Sequence, residues 1–137
     1  MTDVVNSEGW KGKSETEVIE ESDVWVLREW RKHKFSGERY FEEHKVPKSN
    51  VEVLQNIIEQ CTVRQEYGSY YLWRKLIQHY NLAEIEGLSE ENMVSFFNGS
   101  KFRSRYYFPL YYRPMKILEN LGIIWYGGNT RTWMWLG

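Results

Sequence analysis

The C-terminal stretch, residues 101–137, reads KFRSRYYFPLYYRPMKILENLGIIWYGGNTRTWMWLG and largely decides the fold that we expect. Its first apolar side chains recur every three or four residues, which places them on one face of a helix. They are Tyr107, Leu110, Tyr111, Pro114, Ile117 or Leu118, and Leu121. Gly122 then suits a helix end, because glycine adopts positive φ at little cost. The stretch therefore predicts a basic helix that ends at residue 121.

Two short apolar and aromatic runs follow this helix, at residues 123–126 and 131–136. They are rich in β-branched and aromatic residues, and they flank the turn-forming sequence Gly127-Gly128-Asn129. The pattern predicts a β-hairpin within residues 122–137. Pro109 and Pro114 each remove a backbone donor from the preceding helix, so we expect that helix to be kinked or interrupted.

Charge is distributed unevenly along the 137 residues, whose net charge is −1. Residues 1–23 sum to −5, whereas residues 24–137 sum to +4. Residues 1–22 also carry few apolar side chains, so they cannot bury enough surface to offset the entropy lost on ordering. We predict a disordered acidic tail over residues 1–22 and a single basic domain over residues 23–137.

The middle of the chain predicts a strand pair followed by helices. Residues 23–46 are typical of two strands around the Ser36-Gly37 turn, with a short helix on either side as the alternative. Apolar stripes predict helices at 50–61 and 69–80, the first with Cys61 as a core thiol. Ser89 and the two acids after it predict a helix at 90–98, so that helices occupy residues 49–121.

No group of residues in the sequence is typical of catalysis or metal binding. His33, His44 and His79 lack the short spacing of zinc ligands, and Cys61 alone cannot complete a thiolate site. We therefore expect no enzyme activity, no cofactor and no metal. A single cysteine, no leader peptide and no long apolar run predict an intracellular, cytoplasmic protein without a membrane role.

The order of these elements resembles that of a winged helix-turn-helix domain, as found in many archaeal, bacterial and viral regulators. The resemblance covers residues 50–136 and rests also on the passage Ile117-Leu118-Glu119-Asn120-Leu121-Gly122-Ile123-Ile124 into the hairpin, or wing. The helix at 90–98, the two prolines and the N-terminal strand pair depart from the family pattern. The expected fold class is α+β, a winged helix with an added N-terminal strand pair.

The resemblance implies a double-stranded DNA-binding protein in transcriptional control. Three cations fall within five residues at the start of the basic helix, and the planar fork of arginine suits both phosphate and the guanine edge. The residues expected to contact DNA are Lys101, Arg103, Ser104, Arg105 and Tyr106, with Asn129 and Arg131 on the wing. Secondary phosphate contacts are expected from a second basic cluster, Arg28, Arg31, Lys32 and Lys34.

Several alternatives stay open. Either basic cluster is also explained as a solvated helix face or strand end. The same fold serves as a protein docking module, and a Trp-rich hairpin suits a partner surface. Stacking of unpaired bases on the aromatic side chains would instead indicate single-stranded DNA or RNA binding. The sequence also leaves open whether the protein forms a homodimer.

Overall fold

A computed structural model describes residues 4–6, 16–127 and 132–136 of the chain. Four strands come first along the chain, helices follow, and a β-hairpin comes last. This arrangement confirms the α+β class. The strands are β1 (Val4–Asn6), β2 (Thr16–Glu20), β3 (Val24–Lys32), β4 (Arg39–Pro47), β5 (Ile124–Gly127) and β6 (Thr132–Trp135). The helices are α1 (Lys48–Val63), α2 (Ser69–Tyr80), α3 (Leu82–Ile85), α4 (Glu90–Phe96), α5 (Ser100–Phe102) and α6 (Arg113–Asn120). A π-helical segment, Arg103–Tyr112, joins α5 to α6, and we call residues 100–120 the long helix.

The first four strands form one antiparallel sheet in the order β1-β2-β3-β4. β3 and β4 pair from Val24 opposite Pro47 to Lys32 opposite Arg39, as the Ser36-Gly37 turn predicts. The prediction of a disordered tail over residues 1–22 was wrong for β2, where Val18 and Ile19 are buried. These two apolar side chains sit in a mostly acidic segment, and pairing along β3 supplies the backbone partners that the local sequence does not indicate.

The predicted helices are confirmed, with small shifts at their ends. α1 and α2 bury the expected stripes, and Cys61 is a buried free thiol whose pKa is raised by burial. The Ser89 hydroxyl accepts a hydrogen bond from the Asn92 amide at 3.2 Å, which caps α4 as predicted. Gly122 has φ +75°, and its amide bonds to the Glu119 carbonyl at the end of the long helix.

The predicted interruption of the long helix takes the form of the π-helical segment around Pro109. In this hydrogen-bonding pattern the Arg113 amide bonds to the Phe108 carbonyl, five residues earlier. The Pro109 carbonyl would pair with residue 114 in the same pattern, but Pro114 has no N–H. The Asn50 side-chain amide donates to that carbonyl instead, at 3.4 Å, so α1 supplies the missing donor.

One hydrophobic core unites the sheet, the helices and the hairpin. Fully or nearly fully buried side chains come from every layer: Val18, Leu27 and Val46 of the sheet, Leu54 and Ile58 of α1, Leu72 and Leu76 of α2, Met115, Ile117 and Leu118 of α6, and Ile124 and Trp133 of the hairpin. β5 and β6 pair antiparallel, with Trp125 opposite Met134. The hairpin therefore packs onto the same core as the helix that precedes it.

Candidate nucleic-acid interface

The predicted DNA contacts on the long helix fall within residues 101–106, which we call the basic turn. This segment lies near the start of the long helix and contains one buried aromatic ring. The Phe102 side chain is buried, and its ring centroid lies 5.3 Å from that of Trp73 and 5.0 Å from that of Tyr106. Lys101 and Arg103, on either side of Phe102 in the sequence, are exposed. The buried ring thus fixes the helix start while its two cationic neighbours face solvent.

The side chains of Lys101 and Arg103 make no hydrogen bond or ion pair within the part of the chain that the structure describes. They are two residues apart, so both charges lie near the start of the long helix, although the two side chains leave the helix on different sides. A cation that has no acidic neighbour keeps its full charge for a phosphate of a nucleic acid. Neither side chain has to give up an internal partner before it contacts another molecule.

Arg105 and Tyr106 are instead engaged by Glu86, the residue that ends α3. Arg105 Nη1 lies 2.9 Å from Glu86 Oε1, and the Tyr106 hydroxyl donates a hydrogen bond to the same oxygen. The hydrogen bond from Tyr106, followed by that from Arg105, lowers the pKa of the Glu86 carboxyl. Arg105 keeps an exposed side chain but has its charge balanced, a contact that the sequence does not indicate.

Ser104 also has an internal partner. Its hydroxyl donates a hydrogen bond to the Ser100 carbonyl, four residues earlier, at 3.3 Å. A serine hydroxyl has a single proton to donate, so a contact to a phosphate oxygen would require this bond to break. The structure therefore divides the basic turn into two uncompensated cations and three side chains with intramolecular bonds.

The second predicted cluster, on β3 and the turn after it, is divided in the same way. Arg28 Nε lies 2.7 Å from Glu43 Oε2, and Arg31 Nε lies 3.3 Å from Glu42 Oε1 on the neighbouring strand. Lys32 and Lys34 have no ion pair among the described residues, although Lys34 Nζ lies 5.9 Å from the exposed Phe35 ring. The two predicted wing residues, Asn129 and Arg131, lie outside the described residues.

A group of ionisable side chains joins the sheet to the long helix. The Tyr112 hydroxyl donates to Glu29 Oε2 at 3.4 Å, and burial, followed by the charge of Glu29, raises the pKa of Tyr112 to about 12. Burial also lowers the pKa of Arg113. The pKa of His44 on β4 is lowered, first by burial and then by the charge of Arg113. Of these interactions, the hydrogen bond between Tyr112 and Glu29 helps to hold the sheet against the helix.

An aromatic cavity of about 200 Å³ lies between α2, the α4 region and the long helix, and it was not predicted from the sequence. Its walls are Tyr70 and Trp73 of α2, Val94 and Phe97 of the α4 region, and Tyr107 and Tyr111 of the long helix. Ser69 also lines it. The spacings of three and four residues between these aromatics indicate helix faces that pack in a core. The sequence did not predict the cavity, because a cavity wall has the same spacing of apolar residues as a packed core face.

Among residues 4–6, 16–127 and 132–136, no three or more His, Cys, Asp or Glu side chains are grouped so as to hold a metal ion. No helix in these ranges combines the length and the apolar character needed to cross a membrane. Comparison with known proteins gives no family: no family model matches the chain, and neither a curated protein nor a solved structure is significantly similar to it.

Proposed function

We propose that the protein binds double-stranded DNA in transcriptional control, as a winged-helix protein whose principal DNA contacts are Lys101 and Arg103. The observation that carries this proposal is the exposure of both cations, without an internal partner in the described chain, at the start of the long helix. A recognition helix contacts DNA mainly through its N-terminal residues. In this proposal the β-hairpin that follows the helix acts as the wing.

Arg105 enters this proposal as a reserve contact. Its guanidinium is exposed and is paired with the carboxylate of Glu86. A phosphate group can take the place of that carboxylate as the anionic partner of Arg105. Duplex binding would exchange the bond to Glu86 for a bond to phosphate, at the cost of exposing the Glu86 charge. We therefore assign a smaller share of the affinity to Arg105 than to either uncompensated cation.

The test is fluorescence anisotropy with labelled random duplex and single-stranded oligonucleotides, titrated from about 50 to about 200 mM salt. We expect duplex binding that weakens with salt. The double variant Lys101→Ala, Arg103→Ala should bind at least tenfold more weakly and should reduce the slope of log K against log salt by about 2. Lys45→Ala, Arg64→Ala is the matched control, because it removes the same charge from exposed residues on β4 and at the end of α1.

Unchanged duplex binding by the folded double variant would contradict the proposed site. A preference for single strands would instead favour the stacking interpretation. No binding of either form would favour a protein docking module, which one observation supports: Trp125 and Met134 pair across the hairpin and are exposed by 41% and 58%. Replacing both with serine should then abolish association with the partner and leave the fold intact.

A further inference from the structure

β4 lies at one edge of the four-stranded sheet, and among the described residues no strand pairs with its outer side. The strand is long, Arg39–Pro47, and its residues 39–43 are all exposed. The exposed fractions of Tyr40 and Phe41 are 36% and 42%. The outer side of an edge strand presents N–H and C=O groups with which another strand can pair. The outer edge of β4 is therefore a surface to which a further strand can be added.

The hydrogen bonds at the two ends of the β3–β4 pair show which residues of β4 point their backbone groups outward. The His33 amide donates to the Glu38 carbonyl at 2.9 Å, and the Lys48 amide donates to the Asp23 carbonyl at 3.0 Å. Both pairs continue the register of the two strands, and hydrogen-bonded pairs alternate with non-bonded pairs along an antiparallel ladder. The even-numbered residues of β4 thus bond to β3. The residues that direct N–H and C=O to the outer edge are Arg39, Phe41, Glu43 and Lys45.

Two β4 strands can pair along this edge in an antiparallel register in which their charges match. When Phe41 lies opposite Phe41 of a second copy, Arg39 lies directly opposite Glu43 of that copy, and the same pair recurs across the two-fold axis. Opposite charges in such positions stabilise a sheet. Glu43 binds Arg28 of its own chain through Oε2, but a carboxylate accepts hydrogen bonds at both oxygens, so Arg39 of the second copy can join this pair. The edge is complementary to itself.

Neighbouring registers place like charges opposite each other. Moving the centre of the pairing by one residue to Glu42 sets the Glu42 carboxylates of the two copies face to face, and moving it to Tyr40 sets Glu38 opposite Glu42. Like charges directly opposite each other destabilise a strand pair. Charges on edge strands commonly prevent edge-to-edge pairing. On β4 they disfavour both shifted registers and favour the one centred on Phe41.

The aromatic side chains of β3 and β4 add apolar contact to the same register. Trp30 and Phe41 are opposite each other in the two strands, with ring centroids 4.9 Å apart. Opposite Cα atoms in a hydrogen-bonded antiparallel pair lie about 5.5 Å apart, so the Phe41 rings of two copies would meet on one face of the sheet. Aromatic pairs across strands stabilise a sheet. Four rings would then form a row that covers apolar surface exposed in the single chain.

We propose that two copies of the chain pair antiparallel along β4, with Phe41 at the two-fold axis and Arg39 of each copy opposite Glu43 of the other. Each copy contributes one four-stranded sheet, so the dimer has a continuous sheet of eight strands. The proposal does not rest on DNA binding. The interface is small and partly ionic, so the dimer should dissociate on dilution and weaken with salt, as expected for interfaces below about 1,200 Å².

Sedimentation equilibrium of the full chain, without DNA, measures the dimer directly. The mass should rise with concentration from 16.6 kDa towards twice that value. Arg39→Glu and Glu43→Arg each place like charges at both contacts, so each variant alone should dimerise at least tenfold more weakly. In an equal mixture of the two variants, opposite charges face each other again, and a dimer with one copy of each should form. Lys45→Glu is the matched control on the same edge, because it lies opposite Gly37, and should change the dimer constant by less than about twofold.

Cysteine cross-linking tests the register even if a charge reversal weakens the fold. Phe41→Cys places two thiols opposite each other with Cα atoms about 5.5 Å apart, within the range of a disulfide, so oxidation should give a linked dimer. In Lys45→Cys the two thiols would be eight residues apart along the strands, about 26 Å, and should not link. The native Cys61 is buried.

Three results would overturn the proposal. The first is a wild-type protein that stays monomeric up to about 1 mM. The second is a mixture of the folded Arg39→Glu and Glu43→Arg variants that dimerises no better than either variant alone. The third is equal cross-linking of the Phe41→Cys and Lys45→Cys variants, which would indicate random collisions or another register.

Discussion

The basic turn and the β3–β4 strand pair are two cation-rich regions, and in each of them neighbouring acids pair some cations and leave others unpaired. Arg28 and Arg31 lie beside carboxylates of the neighbouring strand. The antiparallel register sets Arg28 opposite Glu43, and it brings Glu42 diagonally across from Arg31. Lys101 and Arg103 face solvent on the first turn of a helix with no acid beside them among the described residues. A count of cations rates the two regions alike, whereas the neighbouring acids decide which cations are available to a polyanion.

The largest effect should come from removing the ring that holds the basic turn in place. Phe102→Ala empties a buried site that contacts Trp73 and Tyr106, and it should lower the free energy of unfolding by about 3–5 kcal/mol. Urea denaturation measures the loss. Phe96→Ala is the matched control, since that ring is 46% exposed and should cost far less. Equal losses for the two variants would show that Phe102 is not the anchor.

The second prediction concerns Arg105, the cation of the basic turn that is paired with an acid. Glu86→Gln removes the charge that pairs with Arg105, so duplex affinity should rise a few-fold and the salt slope should steepen by about 1. Anisotropy titrations measure both quantities. Glu90→Gln makes the same charge change beside Arg74, on a different helix, and should have a smaller effect. Similar gains for both variants would indicate a general charge effect and not release of Arg105.

The smallest effect of the series should be a pH dependence of stability that comes from His44 on β4. The pKa of His44 is lowered in the folded protein, so the unfolded chain binds more protons between that value and its ordinary 6.5. Stability should therefore fall as the pH drops from about 7.5 to about 5.5, above the range where carboxylates titrate. Urea midpoints should fall less for His44→Gln than for the wild type or the exposed-site control His79→Gln. An identical pH dependence in all three would contradict this account.

Periodicity and turn chemistry predict most of the elements of the fold. The stripes of α1 and α2, the cap at Ser89 and the positive φ at Gly122 are local features, and the structure confirms them. β2 was missed because its order depends on pairing with β3, which a short acidic segment does not reveal. Local patterns fail where a distant strand supplies the partners.

The candidate site was less predictable than the fold. The sequence places the basic turn, but the bond between Arg105 and Glu86 joins residues that are 19 apart and depends on how α3 ends. The same limit applies to the aromatic cavity, because a wall and a packed core share one spacing of apolar residues. The availability of each charge and the space between rings are properties of the assembled structure.

The most direct test of the central claim compares two double variants that remove the same charge. Duplex DNA affinity is measured at matched salt for Lys101→Ala, Arg103→Ala and for Arg28→Ala, Arg31→Ala, with thermal melting to confirm that both are folded. The account predicts at least a tenfold loss for the first variant and a change within about twofold for the second, because Arg28 and Arg31 are already paired with acids. Equal losses, or a larger loss for the strand-side variant, would contradict it.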